Sequence, residues 1–273
     1  MKHSCLFALL LALLPSALGS TGVHRSVMDS IENSPEGQAF VAEKGNPLWA
    51  FGSSNGYGMC LPTWPFRPDG SKRPSAAAEA WPKITTCKHL EHRGADPDWA
   101  PEFPTYFSVR KCSPTKIRVA YNLFWEKDGF APTPSSGHPY DWEHVVVDWE
   151  SFGDMWYKTR LEGSYHRESN VINGWANIPW TVKMNDLWGK GKDLDHPKIF
   201  IGVCKHAMFF EKGGYGDIGS CLSNDQRDDH WMGMSQGKNL INAGPGTTIG
   251  EKIARENWGE ATGNPKKTWG DLC

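Results

Sequence analysis

Apolar and polar positions alternate most regularly between Lys116 and Trp125. Ile117, Val119, Tyr121, Leu123 and Trp125 interleave there with Lys116, Arg118, Ala120 and Asn122. A period of two predicts a half-buried strand. His144–Trp149, with Val145, Val146 and Val147 in succession, reads as a more deeply buried strand. Tyr157–His166 and Lys198–Phe210 each read as further strand. Helical signals are fewer. In TTIGEKIAREN, Thr248 and Glu251 have capping-box spacing, and Ile249, Ile253 and Ala254 fall on one face. Residues 20–47 read as a weakly structured lead-in with at most short helical pieces, SVMDSIEN and PEGQAFVAEK. Prolines and turn pairs break residues 60–104 into long surface loops that carry Cys60 and Cys87. Strands outnumber helices, so the expected class is mainly β (α+β), a β-sandwich with helices at its sides.

The first residues set an expectation about compartment. Lys2 and His3 precede the apolar run Leu6–Leu14 and the small-residue stretch PSALGS. That is the pattern of a secretory signal peptide, residues 1–19, cleaved before Ser20, and it predicts a secreted, extracellular protein. The lead-in then covers residues 20–50, and a single domain covers 51–273. Without the leader, six cysteines remain: Cys60, Cys87, Cys112, Cys204, Cys221 and Cys273. An even number in a secreted chain predicts three disulfides. Cys204 with Cys221 is favoured by closeness. Removing Lys2 takes the net charge from −2 to near −3, which argues against nucleic acid or anionic lipid as an electrostatic partner. The 14 tryptophans exceed what a core of this size needs, so some are expected to stack on sugars or sit at a membrane interface.

Candidate chemistry gathers where a loop meets a strand, in PSSGHPYDWEHVVVDW. Residues two apart on a strand share a face, so Asp141 and Glu143 point together, with Trp142 opposite. His138 precedes them on the loop, and Asp128 lies at its other end. Three readings are open. The acids pair with surface Lys or Arg; or they form a glycosidase acid and nucleophile; or Asp128, His138, Asp141 and Glu143 hold a hard divalent cation, Ca²⁺ or Mg²⁺. Zinc fits less well, with one local histidine. His166, His196 and His206, each taken alone, read as structural histidines. Ser136 lacks the surroundings of a nucleophile.

GHPYDWEHVVV resembles the signature G-H-R-H-D-W-E of the necrosis- and ethylene-inducing peptide-like proteins, secreted microbial toxins acting on plants. Gly137, His138, Asp141, Trp142 and Glu143 match, while Pro139 and Tyr140 stand where the signature has arginine and histidine. KIRVAYNLFWEKDGFAPTPSSGH, CLPTWPFRPDG, SYHRE and NWGEATGNP resemble the family's flanking segments in order, from Tyr57 to Pro265. The six cysteines are similar to the cysteine-rich branch found in filamentous fungi. The resemblance implies a central β-sandwich flanked by helices, similar to actinoporins and fungal lectins. It implies a Cys60–Cys87 disulfide, which with Cys204–Cys221 leaves Cys112 for Cys273, and a Ca²⁺ or Mg²⁺ site at Asp128, His138, Asp141 and Glu143. It places His166 in a lipid-glycan cavity, which we expect to include Trp142, Tyr140 and His196. Its implied partner is the sugar head group of a glycosylated sphingolipid in the plant plasma membrane, bound by a monomer without catalysis. Permeabilisation of that membrane, or lectin-like binding without lysis, is the implied outcome.

Overall fold

The computed structural model describes residues 20–29, 34–54, 57–77, 79, 86–87, 89–91, 98–99, 102–129, 137–165, 168–184, 195–214 and 226–273. In chain order the elements are β1 (Val23–His24), α1 (Arg25–Met28), α2 (Pro35–Gly45), β2 (Leu48–Phe51), β3 (Ser53–Ser54), β4 (Tyr57–Cys60), β5 (His89–Glu91) and β6 (Asp98–Trp99). There follow β7 (Thr105–Ser113), β8 (Lys116–Lys127), β9 (Pro139–Phe152), β10 (Met155–Tyr165), β11 (Glu168–Asn173), β12 (Thr181–Val182) and β13 (His196–Ile201). The last are β14 (Met208–Phe209), β15 (Trp231–Gly233), β16 (Leu240–Asn242), α3 (Thr248–Arg255) and α4 (Pro265–Asp271). The expected leader lies outside the described residues, and among those described no helix is long and apolar enough to cross a membrane.

Strands β7 to β10 form an antiparallel meander, the centre of the larger sheet, whose order is β1-β10-β9-β8-β7-β16 with β11 also on β10. The β9–β10 hairpin turns at Gly153, whose φ of 62° is the left-handed conformation that a tight hairpin asks of its turn residue. A second sheet runs β12-β13-β2-β15-β6, with β14 on β13. Between the sheets lies the main core. Ile117, Val119, Tyr121, Leu123 and Trp125 of β8 meet Val145, Val147 and Trp149 of β9 there, with Trp49, Phe51, Ile199 and Ile201 of the second sheet. Each such side chain contributes about 1.5–3 kcal/mol by leaving water. The mainly β, sandwich-like class is therefore as the periodicity predicts.

Several expectations change. β8 is not half-buried, because Ala120 and Asn122 on its other face are also fully buried. The C-terminal segment covers that face. Tyr106, Phe124 and Trp142 pack against Ile253 and Trp258, and Ala120 and Val146 pack against Leu272. In the described part of the lead-in, the helical piece expected at PEGQAFVAEK is α2, and a short strand, β1, joins it. Ser34 caps α2 by accepting from Gly37 N, α2 buries Val41 and Ala42, and β1 pairs with β10. The boundary expected at residue 50 falls inside β2, a central strand of the second sheet. The α3 cap is Thr247, not Thr248. Its hydroxyl accepts from Gly250 N, while Glu251 reaches back to Gly246 N. Lys198–Phe210 is two antiparallel strands, not one. β13 pairs with β14 around a turn in which His206 N donates to Gly202 O.

Cys60–Cys87 and Cys112–Cys273 are disulfides. Cys204 is disulfide-bonded too, and its expected partner Cys221 lies outside the described residues. Cys273, Arg110 bonded to Trp269 O, and Arg118 bonded to Leu272 O together fasten the C-terminal segment to the sheet.

One close approach closes the β8–β9 hairpin. Asp128 N donates to His138 O at 2.9 Å, just beyond the Lys127–Pro139 pair. A Cβ on Gly137 would lie 2.2 Å from Asp128 O, nearer than any relaxed contact. Gly137→Ala is accordingly expected to cost roughly 1–3 kcal/mol in urea unfolding, with a lower midpoint and unchanged slope. Stability at the wild-type level would show that this closure does not constrain the hairpin.

Candidate functional site

The register of β8 on β9 builds the site. Trp125 lies opposite Asp141 and Phe124 opposite Trp142. Alternation sends Asp141 and Glu143 to the face that carries the main core, and Tyr140 and Trp142 to the other. Asp128, at the end of β8, comes beside both His138 and Asp141. Its Oδ2 is 3.5 Å from His138 Nε2, and its carboxylate lies within 4.8 Å of those of the Asp141–His206 pair. The turn between β13 and β14 delivers His206. Its Nδ1 is 2.8 Å from Asp141 Oδ2, and its ring stacks on Trp125 at 4.3 Å between centroids. Glu143 accepts from the Ser164 hydroxyl. His138 Nδ1 is 2.8 Å from Tyr140 O.

Two residues at this end hold left-handed backbone without being glycine: Tyr140 at φ 61° and His206 at φ 59°. Such conformations cost of order 1–3 kcal/mol each and persist where surrounding contacts fix them. The Tyr140 ring is clasped by Phe124, Trp258 and the Lys72 ammonium, 4.4 Å from its centroid. The Trp125 stack and the Asp141 bond secure His206.

The electrostatics are those of uncompensated acid. Burial pushes Asp141 up to about 7, against the pull of His138. Burial and then the Asp141 charge push Asp128 and Glu143 well above the usual carboxylate range. Burial opposes the proton on His138, but Asp128 and Asp141 outweigh it and raise that imidazole. His206 goes the other way. Burial, helped by Lys127 and His138, lowers it to about 3, so its ring is neutral. Asp128 Oδ1 is buried without a hydrogen-bond partner. An orphaned carboxylate oxygen among crowded acids is the donor set that a hard divalent cation takes. Asp128 and Asp141 would hold such an ion, with His206 fixing the orientation of Asp141 as an outer partner. Glu143 and His138 stand next to this group, one on Ser164 and the other on Asp128.

A cleft of about 810 Å³ opens on these acids. It is lined by Asp128, His138, Asp141 and Glu143 at one end, with Lys205 beside them. Two of the residues expected in the glycan cavity, Tyr140 and Trp142, sit on even-numbered positions of β9 and put their rings in the aromatic cluster under the C-terminal segment; Trp142 also lines the cleft, and Tyr140 does not. His196 begins β13, whereas His206 follows that strand's other end. His196 is buried with Nδ1 on Asn46 O, and burial lowers it to about 4. His166 and Ser136 lie outside the described residues. The sequence reading took His206 for a structural histidine outside the acid group, because it is distant along the chain and its turn hides within an apolar run.

No protein-family model matches the chain, and no curated protein matches it. Among solved structures, the chain is similar to NLPPya in complex with mannosamine, at 13% identity over 85% of this chain and 86% of that one, with a TM-score of 0.50. It is similar to NLPPya in complex with glucosamine at 14% identity over the same shares, again with a TM-score of 0.50. It is also similar to Necrosis and Ethylene inducing Protein 2 from the causal agent of cocoa's witches' broom disease, at 14% identity over 72% of this chain and 74% of that chain, with a TM-score of 0.43. At such identities the likeness is one of fold: across most of its length this chain has the fold of the necrosis- and ethylene-inducing protein structures.

Proposed function

We propose that this protein is a secreted, cation-dependent, toxin-like effector that binds the sugar head group of a glycosylated sphingolipid in the plant plasma membrane. The observation that carries the reading is the buried Asp128, with its Oδ1 unpartnered, beside Asp141 and His206 at the mouth of an open cleft. The amino-sugar complexes of the NLPPya structures support a glycan as ligand. Bound, the ion would supply positive charge and coordinate sugar hydroxyls. The chain's own residues do the rest. His206 and Trp125 orient Asp141, Ser164 holds Glu143, and the β8–β9 hairpin holds Asp128 within reach. This is recognition without bond chemistry. Ca²⁺ or Mg²⁺ suits the oxygen-rich donor set.

A non-lytic, lectin-like role is the second reading, and one observation favours it. Where the signature has arginine and histidine, Pro139 has no polar side chain and the Tyr140 ring is packed into the aromatic cluster. Neither gives the cleft mouth a charge. Dye release from vesicles containing plant glycosylated sphingolipid separates the two. Lysis supports membrane disruption; cation-dependent binding without release supports the lectin-like role; no binding at all rejects the glycan reading.

Calorimetric titration of chelator-stripped protein with Ca²⁺ or Mg²⁺ is expected to give one saturable site. Asp128→Asn and Asp141→Asn should each abolish it, and His206→Phe should weaken it by about 10–100-fold, as the loss of an orienting partner does. Full affinity in both Asn variants would reject the site.

The pH dependence has a definite sign. Asp141 titrates near 7 and must be ionised to bind the ion, so below that pH its proton competes. Affinity should fall as pH drops through about 7, with protons released on binding near neutrality. Affinity flat between pH 5 and 8 would show that Asp141 is not a ligand.

A further inference from the structure

The larger sheet forks beside the acids. β9 and β10 pair as far as Val145–Gly163, and then separate. β11 lies along the other edge of β10, paired from Arg160–Asn173 to Tyr165–Glu168. The gap is spanned by one side chain: Ser164 Oγ accepts from His144 N at 2.9 Å and reaches Glu143. Through this fork the cleft passes from the acid end towards the opposite face of the sheet, beneath α4. There it is lined by His144, Glu168, Ser169, Lys267 and Asp271, with Val146 and Leu272 as apolar floor.

This second compartment lies outside the acid group. Its chemistry differs as well: hydroxyl, imidazole, ammonium and carboxylate groups alternate around small aliphatic patches. His144, which lines the cleft, has its Nδ1 buried without a partner. The neighbouring Asn122 Oδ1 is likewise buried and unpaired, while its Nδ2 holds Gly263 O and Thr268. Mixed donors and acceptors around a small apolar floor suit the hydroxyls and C–H face of a sugar ring. They suit neither an acyl chain, for which the rim is too polar and the apolar floor too small, nor a lone ion, for which the rim carries both signs. The whole cleft also exceeds what a cation and one sugar ring need.

We propose that the β9–β10 fork is a second carbohydrate subsite, so that the cleft takes at least two linked sugar units, one at the acid end and the next beneath α4. This rests on the reading that the acid end holds a cation with a sugar. It adds the size of the ligand and the residues that read its second unit, with Ser164 joining the two compartments.

The test compares glucosamine with a panel of disaccharides that differ in linkage and end in glucosamine, titrated into the intact protein with Mg²⁺ or Ca²⁺ present. At least one disaccharide is expected to bind about tenfold more tightly than glucosamine, the gain from one or two added hydrogen bonds. Lys267→Ala with Ser169→Ala, both on exposed positions, should bring that ratio to near one, as should His144→Phe. A ratio near one in the wild-type protein, with glucosamine still bound, overturns the subsite and leaves the cation site standing. A ratio unchanged in both variants also overturns it. Loss of glucosamine binding itself, with the cation still bound, overturns the sugar reading at the acid end and the subsite with it.

Discussion

The antiparallel register of β8 on β9 is the constraint on which the rest depends. It runs from Lys116–Glu150 to Lys127–Pro139 without a slip. Because side chains alternate, a shift by one residue would carry Val145, Val147 and Trp149 out of the core and would turn Asp141 and Glu143 to the helix-covered face. The main core, the aromatic layer under α3 and α4, and the acid group are thus three consequences of one pairing. From Val119 to Trp125 both faces of β8 are buried, which makes the register hard to relax.

Where that ladder ends, the protein accepts a local conflict. Carboxylates are placed where burial disfavours their charge, and two residues are held in left-handed backbone beside them. Such conflicts survive when the surrounding structure is rigid and when the strained arrangement binds something. Both conditions are met at this end. Trp125 and His206 form a stacked wall, Tyr140 is clamped by three neighbours, and the C-terminal segment is fastened by a disulfide and two arginines. The rigid parts lie on either side of the acids, and the open cleft lies between them.

The cleft exists because the sheet does not close. The β9–β10 ladder ends at Val145–Gly163, so the β9 edge just beyond it offers an inner-face acid, Glu143, and an outer-face histidine, His144, to the same groove. A continuous sheet would have separated these two neighbours by the thickness of the ladder. Ser164, bonded to the backbone of His144 and to the carboxylate of Glu143, keeps the fork from gaping.

The sequence by itself determined the strands of the meander, the shared face of Asp141 and Glu143, and the joining of Asp128 to His138 through a hairpin loop. These are local or period-two properties, which a chain carries in its own pattern. Only the tertiary structure decided that Tyr140 and Trp142 serve a second core, because that depends on a C-terminal segment more than 100 residues away covering the outer face. It alone placed Leu48–Phe51, across the expected boundary, in a central strand and set the place of His206. The apolar run that reads as one strand is folded back by a turn at Gly202, and the imidazole lands on Asp141 from another sheet. Periodicity reports which way a side chain faces. It does not report what arrives to meet it, since contacts between distant segments are chosen by packing over the whole molecule.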